Sequence, residues 1–303
     1  MKRDYGKVLV VMGGWSNERE ISLLSGMSVY NSLISSGVNA SVLDINKNNL
    51  KEIKKISPER VFIVLHGKGG EDGEIQSYLD KLSIPYTGSD SNSSSICMNK
   101  RQTKDILLEN SIPTPYFCRI NNNNIKEIEA NFPYPFVIKP SSEGSSIGVH
   151  IVEDIEDCKK AVFENTQISN DFIGEQYIKG NEYTVGILNN DALPIIKLEP
   201  PGKFYDYNAK YNSEKMKYIC PSGLPAETEE DLKKLSLKTF KTLKCKGWGR
   251  VDLILDEKEQ KPWIIEINTV PGMTEHSLLP MAAKEKCIDF DSLVLKILDT
   301  SYE

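Results

Sequence analysis

The sequence predicts an α/β protein, with an N-terminal doubly wound parallel-sheet domain followed by a two-part α+β region. Two patterns predict this. In the N-terminal third, short apolar runs alternate with a helical pattern, which is typical of βαβ units. Near the end, the runs 250–255 and 265–268 alternate apolar and polar residues with the two-residue period of strands, and a charged segment separates them. The 303 residues, 39% of them hydrophobic, suffice for two or three domains around a sizeable core.

The composition excludes several classes of protein. A net charge of −6 argues against a general nucleic-acid binder, whose surface would be basic. The apolar run Val8–Met12 is too short for the core of a signal peptide, and no run approaches the length of a membrane span. The six cysteines include no Cys-x-x-Cys pair, so neither a zinc site nor a disulfide framework is indicated. We therefore expect a cytoplasmic protein with reduced thiols and with no nucleic-acid or membrane partner.

The N-terminal elements follow one another as in a doubly wound fold. A strand over 7–12 runs into the turn Gly13-Gly14, and the helix that follows continues to about Ser35, with Ser16 as its candidate N-cap. Two more strands are predicted at 40–43 and 60–65. No G-x-G-x-x-G motif is present, which argues against a dinucleotide site.

The third strand ends in the glycine-rich segment 66–73, which begins with His66. In folds of this class ligands bind beyond the carboxyl ends of the strands, and glycines let the backbone approach a ligand closely. His66 is therefore either a site residue or an ordinary loop residue. A serine-rich stretch then marks the end of the first domain near residue 97, and a helix runs from about 98 to 110.

In the middle of the chain, two segments suggest chemistry and one suggests packing. The strand 136–140 carries Lys139 and leads into the Ser- and Gly-rich loop 141–149, which could cradle a phosphate, although a hairpin turn would look similar. The aromatic-rich stretch 204–211 is either packing filler or a lid. The helix predicted over 228–244 places four apolar residues on one face and serves the core; they are Leu232, Leu235, Phe240 and Leu243.

The C-terminal hairpin brings charged residues together. If it folds symmetrically about Glu259, Asp252 lies opposite Glu266 and Arg250 opposite Asn268. Directly opposed side chains have Cβ atoms about 4.5–5.5 Å apart, so two carboxylates in this position need a counter-charge. Arg250 offers one, and a divalent metal such as Mg²⁺, which prefers hard oxygen ligands, offers a better one. The alternative is a solvated sheet face with a chance salt bridge.

The segments 247–252 and 266–274 resemble the metal-binding end of the ATP-grasp carboxylate–amine ligases, and within them the D-alanine:D-alanine ligase family. The first reads Gly-Trp-Gly-Arg-Val-Asp and the second Glu-Ile-Asn-Thr-Val-Pro-Gly-Met-Thr. The resemblance extends over nearly the whole chain, through several motifs in order. It implies an N-terminal substrate domain over 1–97 and an ATP-grasp fold in two subdomains, 98–183 and 184–303, of which the second carries the metal site.

The resemblance also implies the activity. Members of this family ligate two D-alanine molecules to D-alanyl-D-alanine through an acyl phosphate, with ADP and phosphate released, in the synthesis of peptidoglycan precursors for the cell wall. The implied cofactors are two Mg²⁺ ions, with Mn²⁺ as an alternative, and ATP is the co-substrate. The implied assembly is a homodimer in the cytoplasm.

The resemblance implies a role for each matching position. The implied metal ligands are Asp252, Glu266 and Asn268, and the implied oxyanion hole consists of Arg250 and the N–H of Gly272. The residues that orient the first D-alanine are Glu18, Ser145 and Tyr211, with His66 nearby, and those that hold the carboxylate of the second are Ser277 and Leu278. The implied ATP contacts are Lys100, Lys139 and Lys210 for the phosphates, Glu175 and Ile178 for adenine, and Glu182 for the ribose. Tyr211, in the lid, favours the dipeptide over D-alanyl-D-lactate.

From the residues alone, other interpretations stay open. Glu18 also suits the first turn of a helix, and Ser277 also suits the N-cap of a helix. Glu175 and Glu182 could equally lie on the protein surface. Two rival functions differ from the ligase in what they would lack. A ligase for other substrates would lack the Glu18 or Ser277 contacts, and a regulatory nucleotide binder would have lost Arg250 or a metal carboxylate. All of these residues are present.

Overall fold

The computed structural model describes residues 3–120, 132–199 and 216–302, and it contains three β-sheets in chain order. The first sheet is parallel, with the strand order β2-β1-β3. Its strands are β1 (Val8–Gly13), β2 (Ala40–Ile45) and β3 (Arg60–Ile63). All three were predicted from their apolar runs, and both the central strand β1 and the neighbouring β3 are fully buried, as is typical of parallel sheets.

Four helices belong to the same part of the chain: α1 (Arg19–Ser35), α2 (Glu52–Ile56), α3 (Glu74–Lys81) and α4 (Ser91–Met98). The expected Ser16 cap on α1 is wrong, because Glu18 occupies the N-cap position and makes no side-chain capping bond. The Ser16 hydroxyl accepts the Glu18 N–H at 3.1 Å and donates to the His66 carbonyl oxygen at 2.6 Å. Ser16 therefore ties the start of α1 to the end of the third strand.

The second sheet is antiparallel, with the order β4-β7-β5-β6. Its strands are β4 (Phe117–Ile120), β5 (Phe136–Pro140), β6 (His150–Val152) and β7 (Phe172–Gln176). It is accompanied by the helices α5 (Lys100–Glu109) and α6 (Ile155–Ile168). Asn99 starts α5 by accepting the Gln102 N–H at 3.1 Å, and Asp154 caps α6 in the same way.

The third sheet is also antiparallel, with the order β11-β10-β8-β12-β13 and with β9 paired to β8. Its strands are β8 (Gly180–Leu188), β9 (Asp191–Ala192), β10 (Ile196–Glu199), β11 (Lys217–Ile219), β12 (Trp248–Asp256) and β13 (Pro262–Asn268). The helices α7 (Ala226–Thr242), α8 (Leu278–Glu285) and α9 (Phe290–Asp299) complete this region. The predicted helix over 228–244 is confirmed as α7, which buries Leu232 and Phe240.

The β12–β13 hairpin has the predicted pairing at its functional end. Arg250 lies opposite Asn268, and Asp252 lies opposite Glu266. After Asp252 the register shifts by one, so Leu253 pairs with Ile264 and one residue of β13 is extra, as in a β-bulge. The expectation that Ile265 continues the alternation of Ile267 is therefore wrong. Ile267 is buried in the core, whereas Ile265 lines a large cavity beside Glu266.

The largest hydrophobic cluster joins the two ends of the chain. It combines residues of β1 and β3 with residues of α8 and α9. Trp248, at the start of β12, is fully buried in it, with its ring 6.3 Å from that of Phe62. The strand that carries Arg250 and Asp252 is thus anchored to the core of the N-terminal sheet. The three sheets fall within the stretches 1–97, 98–183 and 180–268, and the division into three domains stays a prediction.

Two further observations concern membrane-spanning helices and the cysteines. No helix in the described part of the chain is long and apolar enough to cross a membrane. All six cysteines are free thiols.

Candidate active site

Two cavities meet in the middle of the molecule. The larger, about 520 Å³, lies between the second and third sheets, and the smaller, about 200 Å³, lies between the loops of the first sheet and the end of β13. Three residues line both cavities: Lys100, Glu143 and Glu266. A molecule bound in the larger cavity can therefore reach the smaller one at this junction.

Most of the predicted substrate and metal residues line the smaller cavity, although they come from five separate segments of the chain. They are Glu18, His66, Ser145, Arg250, Glu266, Asn268, Gly272, Ser277 and Leu278. Lys210 and Tyr211, predicted for the lid, lie outside the described residues.

The loop after β5 contacts the start of α1. The Ser145 hydroxyl donates to Glu18 Oε1, so two residues predicted for the first substrate meet here. Ser145 and Ser146 both have positive φ, +53° and +57°, a conformation that non-glycine residues rarely adopt. Strain of this kind persists where the surrounding structure imposes it, and it is concentrated at functional sites.

Arg250, which lines the smaller cavity, forms a bidentate ion pair with Asp252, which lines neither of the two cavities. Arg250 Nε lies 2.8 Å from Asp252 Oδ1, and Nη2 lies 2.7 Å from Oδ2. Thr184 Oγ1, on the neighbouring strand β8, donates to the same Asp252 Oδ1 at 2.5 Å. Both charged residues are less than 10% exposed. The alternative of a solvated face with a chance salt bridge is therefore wrong for this pair.

The predicted metal ligands fit a hard divalent cation by their chemistry. Asp252, Glu266 and Asn268 supply only oxygen donors, and the first two are directly opposed across the hairpin. In the described part of the chain, no group of three or more His, Cys, Asp or Glu residues could hold a metal ion. A metal site here therefore depends on the Asn268 amide oxygen, and on phosphate oxygens to complete the coordination.

His66 is buried, and its two ring nitrogens contact protein atoms. Nδ1 lies 2.8 Å from the Val270 carbonyl oxygen, which can only accept, so this nitrogen carries the proton. Burial lowers the pKa of His66, and the neutral ring leaves Nε2 to accept from the Ser25 hydroxyl at 3.2 Å. Ser25 Oγ also accepts the Met273 N–H at 3.2 Å. His66 thus fixes the loop that contains Gly272.

Glu71 was not predicted as a site residue, although it belongs to the glycine-rich segment 66–73. It lines the smaller cavity and is buried, and its Oε2 accepts the Gly67 N–H at 2.6 Å. Burial, with the Glu18 carboxylate as the next cause, raises the pKa of Glu71 from 4.5 to about 8. Glu71 therefore keeps its proton to a higher pH than an exposed glutamate does.

This shift predicts how stability depends on pH. Because the folded-state pKa of Glu71 lies above the unfolded value, the folded protein binds the proton more tightly, and stability falls as pH rises from 4.5 to about 8. Glu71→Gln removes this titration. We expect its melting temperature, relative to that of the unmodified protein, to rise steadily between pH 5 and 8. Glu74→Gln, at an exposed position of α3, is the matched control. A constant difference in melting temperature between Glu71→Gln and the unmodified protein across this pH range would contradict the raised pKa of Glu71.

The larger cavity has apolar walls from both sheets and charged groups towards the junction. Its apolar lining residues are Val137 and Ile151 from the second sheet and Leu198, Ile254 and Ile265 from the third. Five of the predicted ATP contacts also line it: Lys100, Lys139, Glu175, Ile178 and Glu182. This shape suits a flat aromatic ring between the sheets with a charged chain that extends towards Lys100.

Lysines flank the predicted path of the phosphates. Lys100 Nζ donates to the Glu143 carbonyl oxygen at 2.6 Å and lies 3.6 Å from Glu266 Oε2. Lys139 Nζ lies 2.8 Å from Glu175 Oε1, and Lys104 Nζ lies 2.5 Å from Glu175 Oε2. Burial alone would raise the pKa of Glu175, but the two ammonium groups outweigh it and lower the pKa. Lys104 was not predicted, because sequence alone places an isolated lysine on the surface.

Ser277 occupies the N-cap position of α8 but does not act as a cap. Its side chain makes no capping bond, and Oγ instead accepts the Thr274 N–H at 3.0 Å and contacts Thr274 Oγ1 at 2.9 Å. The interpretation of Ser277 as a simple helix cap is therefore wrong. Its hydroxyl lies at the cavity wall beside Leu278, whose N–H is at the start of the helix.

A nucleotide-sized cleft between two antiparallel sheets, with lysines on its walls and an acidic strand pair at its end, is the ATP-grasp arrangement. The class of protein is thus an ATP-grasp ligase. Residues 112–299 match the family model described as D-ala D-ala ligase C-terminus, and residues 48–89 match the one described as D-ala D-ala ligase N-terminus. The chain belongs to the D-alanine–D-alanine ligase family.

Individual proteins support the same family. The chain is 45% identical over 300 residues to the D-alanine–D-alanine ligase of Nitrosococcus oceani, covering 99% of this chain and 95% of that protein. It is 46% identical over 297 residues to the one of Acinetobacter baylyi, covering 97% and 95%.

Solved structures agree with the fold. The D-alanine–D-alanine ligase of Bacillus anthracis superposes with a TM-score of 0.87 at 35% identity, covering 98% of this chain and 97% of that one. The structure of that ligase complexed with ATP superposes with a TM-score of 0.84 at 34% identity, covering 99% and 98%. The VanG D-Ala:D-Ser ligase of Enterococcus faecalis gives 0.85 at 26% identity, covering 98% and 99%.

Proposed function

We propose that the protein uses ATP to join two D-alanine molecules into D-alanyl-D-alanine. The single observation that carries the proposal is the junction at Lys100, Glu143 and Glu266, where a nucleotide-sized cavity opens into a smaller polar one. A phosphoryl donor in the first can there meet a carboxylate in the second. Such activation is needed because a free carboxylate is a poor electrophile.

In the first half of the reaction, the carboxylate of the first D-alanine attacks the γ-phosphorus of ATP, which forms an acyl phosphate and releases ADP. Adenine packs between the apolar walls near Ile178 and Glu175, the ribose lies at Glu182, and Lys139 and Lys100 neutralise the phosphates. Glu18, held by Ser145, receives the ammonium group of the first D-alanine, so the carboxylate of this substrate points to the junction. Asp252, Glu266 and Asn268 would hold Mg²⁺, or Mn²⁺ in its place, which supplies positive charge to the phosphoryl group.

The second half of the reaction forms the peptide bond. Ser277 and the N–H of Leu278 hold the carboxylate of the second D-alanine, whose amine attacks the acyl carbon. A negative charge then develops on the acyl oxygen. The Arg250 guanidinium and the N–H of Gly272 face the same cavity and stabilise this charge. As the intermediate collapses, the bond from carbon to the phosphate oxygen breaks, phosphate leaves, the nitrogen releases a proton to solvent, and the dipeptide remains.

The assembly, location and lid are further parts of the proposal. We expect a homodimer, for which the exposed apolar side chains of α1, Leu24, Met27 and Ile34, offer a surface; light scattering would test this. We expect the protein to act in the cytoplasm on precursors of the cell wall. We also expect Lys210 and Tyr211 to belong to a lid, with Tyr211 favouring the dipeptide; comparable turnover with D-lactate as second substrate would overturn that last point.

The experiment that tests the function is phosphate release from MgATP, with D-alanine, with L-alanine or with no amino acid, and with mass measurement of any dipeptide. Release that depends on D-alanine, together with the dipeptide, is the expected result. ATP binding without release under all three conditions would contradict the proposal and favour a regulatory nucleotide binder or another pair of substrates.

Ser277→Ala gives a prediction for the second substrate. Loss of a hydrogen bond to a charged group costs about 1.5–3 kcal/mol, so we expect the D-alanine KM of the second site to rise by roughly 10- to 150-fold. The KM for ATP should change little, because Ser277 lines only the smaller cavity. Ser28→Ala, in α1 and remote from both cavities, is the matched control. An equal rise of both KM values would contradict this role.

A further inference from the structure

The buried cluster around Glu175 contains one lysine for which the proposed mechanism has no use. Lys104 has no exposed side-chain surface, and it lines neither cavity. It lies one helical turn after Lys100 on α5, and therefore on the same side of the helix. Lys100 reaches the junction of the cavities, whereas Lys104 lies behind Glu175.

The contacts of Lys104 hold it in one place. Its ammonium lies 2.5 Å from Glu175 Oε2 and donates to Thr114 Oγ1 at 2.6 Å. The Thr114 hydroxyl in turn donates to the Ile264 carbonyl oxygen at 2.8 Å. Lys104 thus connects α5 to β7 and, through Thr114, to β13. These two strands belong to the two sheets on either side of the nucleotide cavity.

A count of charges shows what Lys104 adds. Glu175 Oε1 contacts Lys139, which lines the nucleotide cavity, and this pair alone would be neutral. Such a lysine would offer little net charge to a phosphate. With Lys104 on the other oxygen, the group of three carries a net charge of about +1 and the carboxylate is shared between two cations.

We propose that Lys104 is a positioning residue for ATP, which holds Glu175 from behind and so keeps the positive charge of Lys139 available to the nucleotide phosphates. The inference rests on the proposed use of ATP and adds a residue to that same site. Lys104 does not touch the nucleotide; it acts through Glu175 and Lys139.

The protonation of Lys104 adds a pH dependence. Burial lowers the pKa of Lys104 to about 8, while Glu175 opposes this shift and Lys139 and Lys100 add to it. The charged groups that face Lys104 in the described structure are these three, from β7, β5 and α5. Below pH 8 the ammonium is charged and the cluster keeps its positive charge. Above pH 8 the charge is lost, so ATP affinity should fall.

The test is calorimetric titration of Lys104→Met with ATP, ADP and adenosine at pH 7. We expect ATP and ADP affinities roughly 10- to 100-fold below those of the unmodified protein, because one charge at a distance of several ångströms is lost, and we expect unchanged binding of adenosine. Unchanged adenosine binding also shows that the variant is folded. Lys234→Met, an exposed lysine of α7, is the matched control.

A second substitution separates charge from packing. Lys104→Met combined with Glu175→Gln returns the cluster to a net charge of about +1, and we expect it to recover most of the lost ATP affinity. Glu175→Gln alone raises the net charge to about +2 and should tighten ATP binding, which provides a test if Lys104→Met does not fold. The fall in ATP affinity above pH 8 should also be absent from Lys104→Met.

The outcomes are distinct. If Lys104→Met binds ATP like the unmodified protein, or loses ATP and adenosine equally, Lys104 is not a positioning residue for the phosphates. The same follows if Glu175→Gln alone does not bind ATP more tightly than the unmodified protein and the double variant does not bind ATP more tightly than Lys104→Met. If the unmodified protein itself binds no ATP, the proposed function fails instead.

Discussion

Replacement of Arg250 by methionine is expected to reduce kcat by about 10²–10³-fold, which is the typical cost of removing one donor from an oxyanion hole. The reason is geometric. Asp252 receives two N–H groups of Arg250 in a bidentate pair, so the guanidinium is held in one orientation at the cavity wall before substrate binds. A donor that is fixed in advance stabilises the developing charge without reorganisation.

The measurement is the rate of dipeptide formation at saturating ATP and D-alanine. Arg3→Met serves as the control, because Arg3 also pairs with an aspartate, Asp299, but at the surface and far from both cavities. We expect the control to retain its full rate. If Arg250→Met changed only the KM for D-alanine and kept its kcat, Arg250 would be a ground-state binding residue, and another group would have to stabilise the oxyanion.

The hairpin shows what could be predicted from sequence. Its two-residue period and short charged turn determine which residues face each other, because a slip of one residue would move every side chain to the opposite face. The pairing of Arg250 with Asn268 and of Asp252 with Glu266 follows from this rule together with a hairpin folded about Glu259. The bulge at Ile265 does not, since an extra residue is tolerated wherever packing on the neighbouring elements favours it.

Other features depend on tertiary structure and have weak local signals. Ser16 is a good capping residue by type, but the His66 carbonyl oxygen, far away in sequence, takes its hydroxyl instead. Glu71 and Lys104 are charged residues that are usually exposed, and only the packing of several segments around them makes them buried. Glu71 could have been predicted as a site residue, since it lies in the same glycine-rich segment as His66. Lys104 has no such signal beyond its spacing of four from Lys100.

The Arg250–Asp252 pair also predicts a large effect on stability. Removing one partner of a buried ion pair leaves an uncompensated charge and typically costs about 3–5 kcal/mol. We therefore expect Asp252→Ala to lower the free energy of unfolding by about this amount, measured by urea titration without ligands. In the same variant Thr184 loses the carboxylate that accepts its hydroxyl, which adds to the cost.

The chain contains a matched comparison for this experiment. Arg19 and Asp44 form a bidentate pair with almost the same distances, 2.8 and 2.7 Å, but their side chains are 37% and 44% exposed. Because water screens an exposed pair, Asp44→Ala should leave stability close to that of the unmodified protein. The double variant Arg250→Met with Asp252→Leu removes both buried charges, and it should be more stable than Asp252→Ala alone. If Asp44→Ala and Asp252→Ala lowered the free energy of unfolding by equal amounts, burial would not govern the strength of the Arg250–Asp252 pair. Other groups in the cavity would then compensate the charge on Arg250.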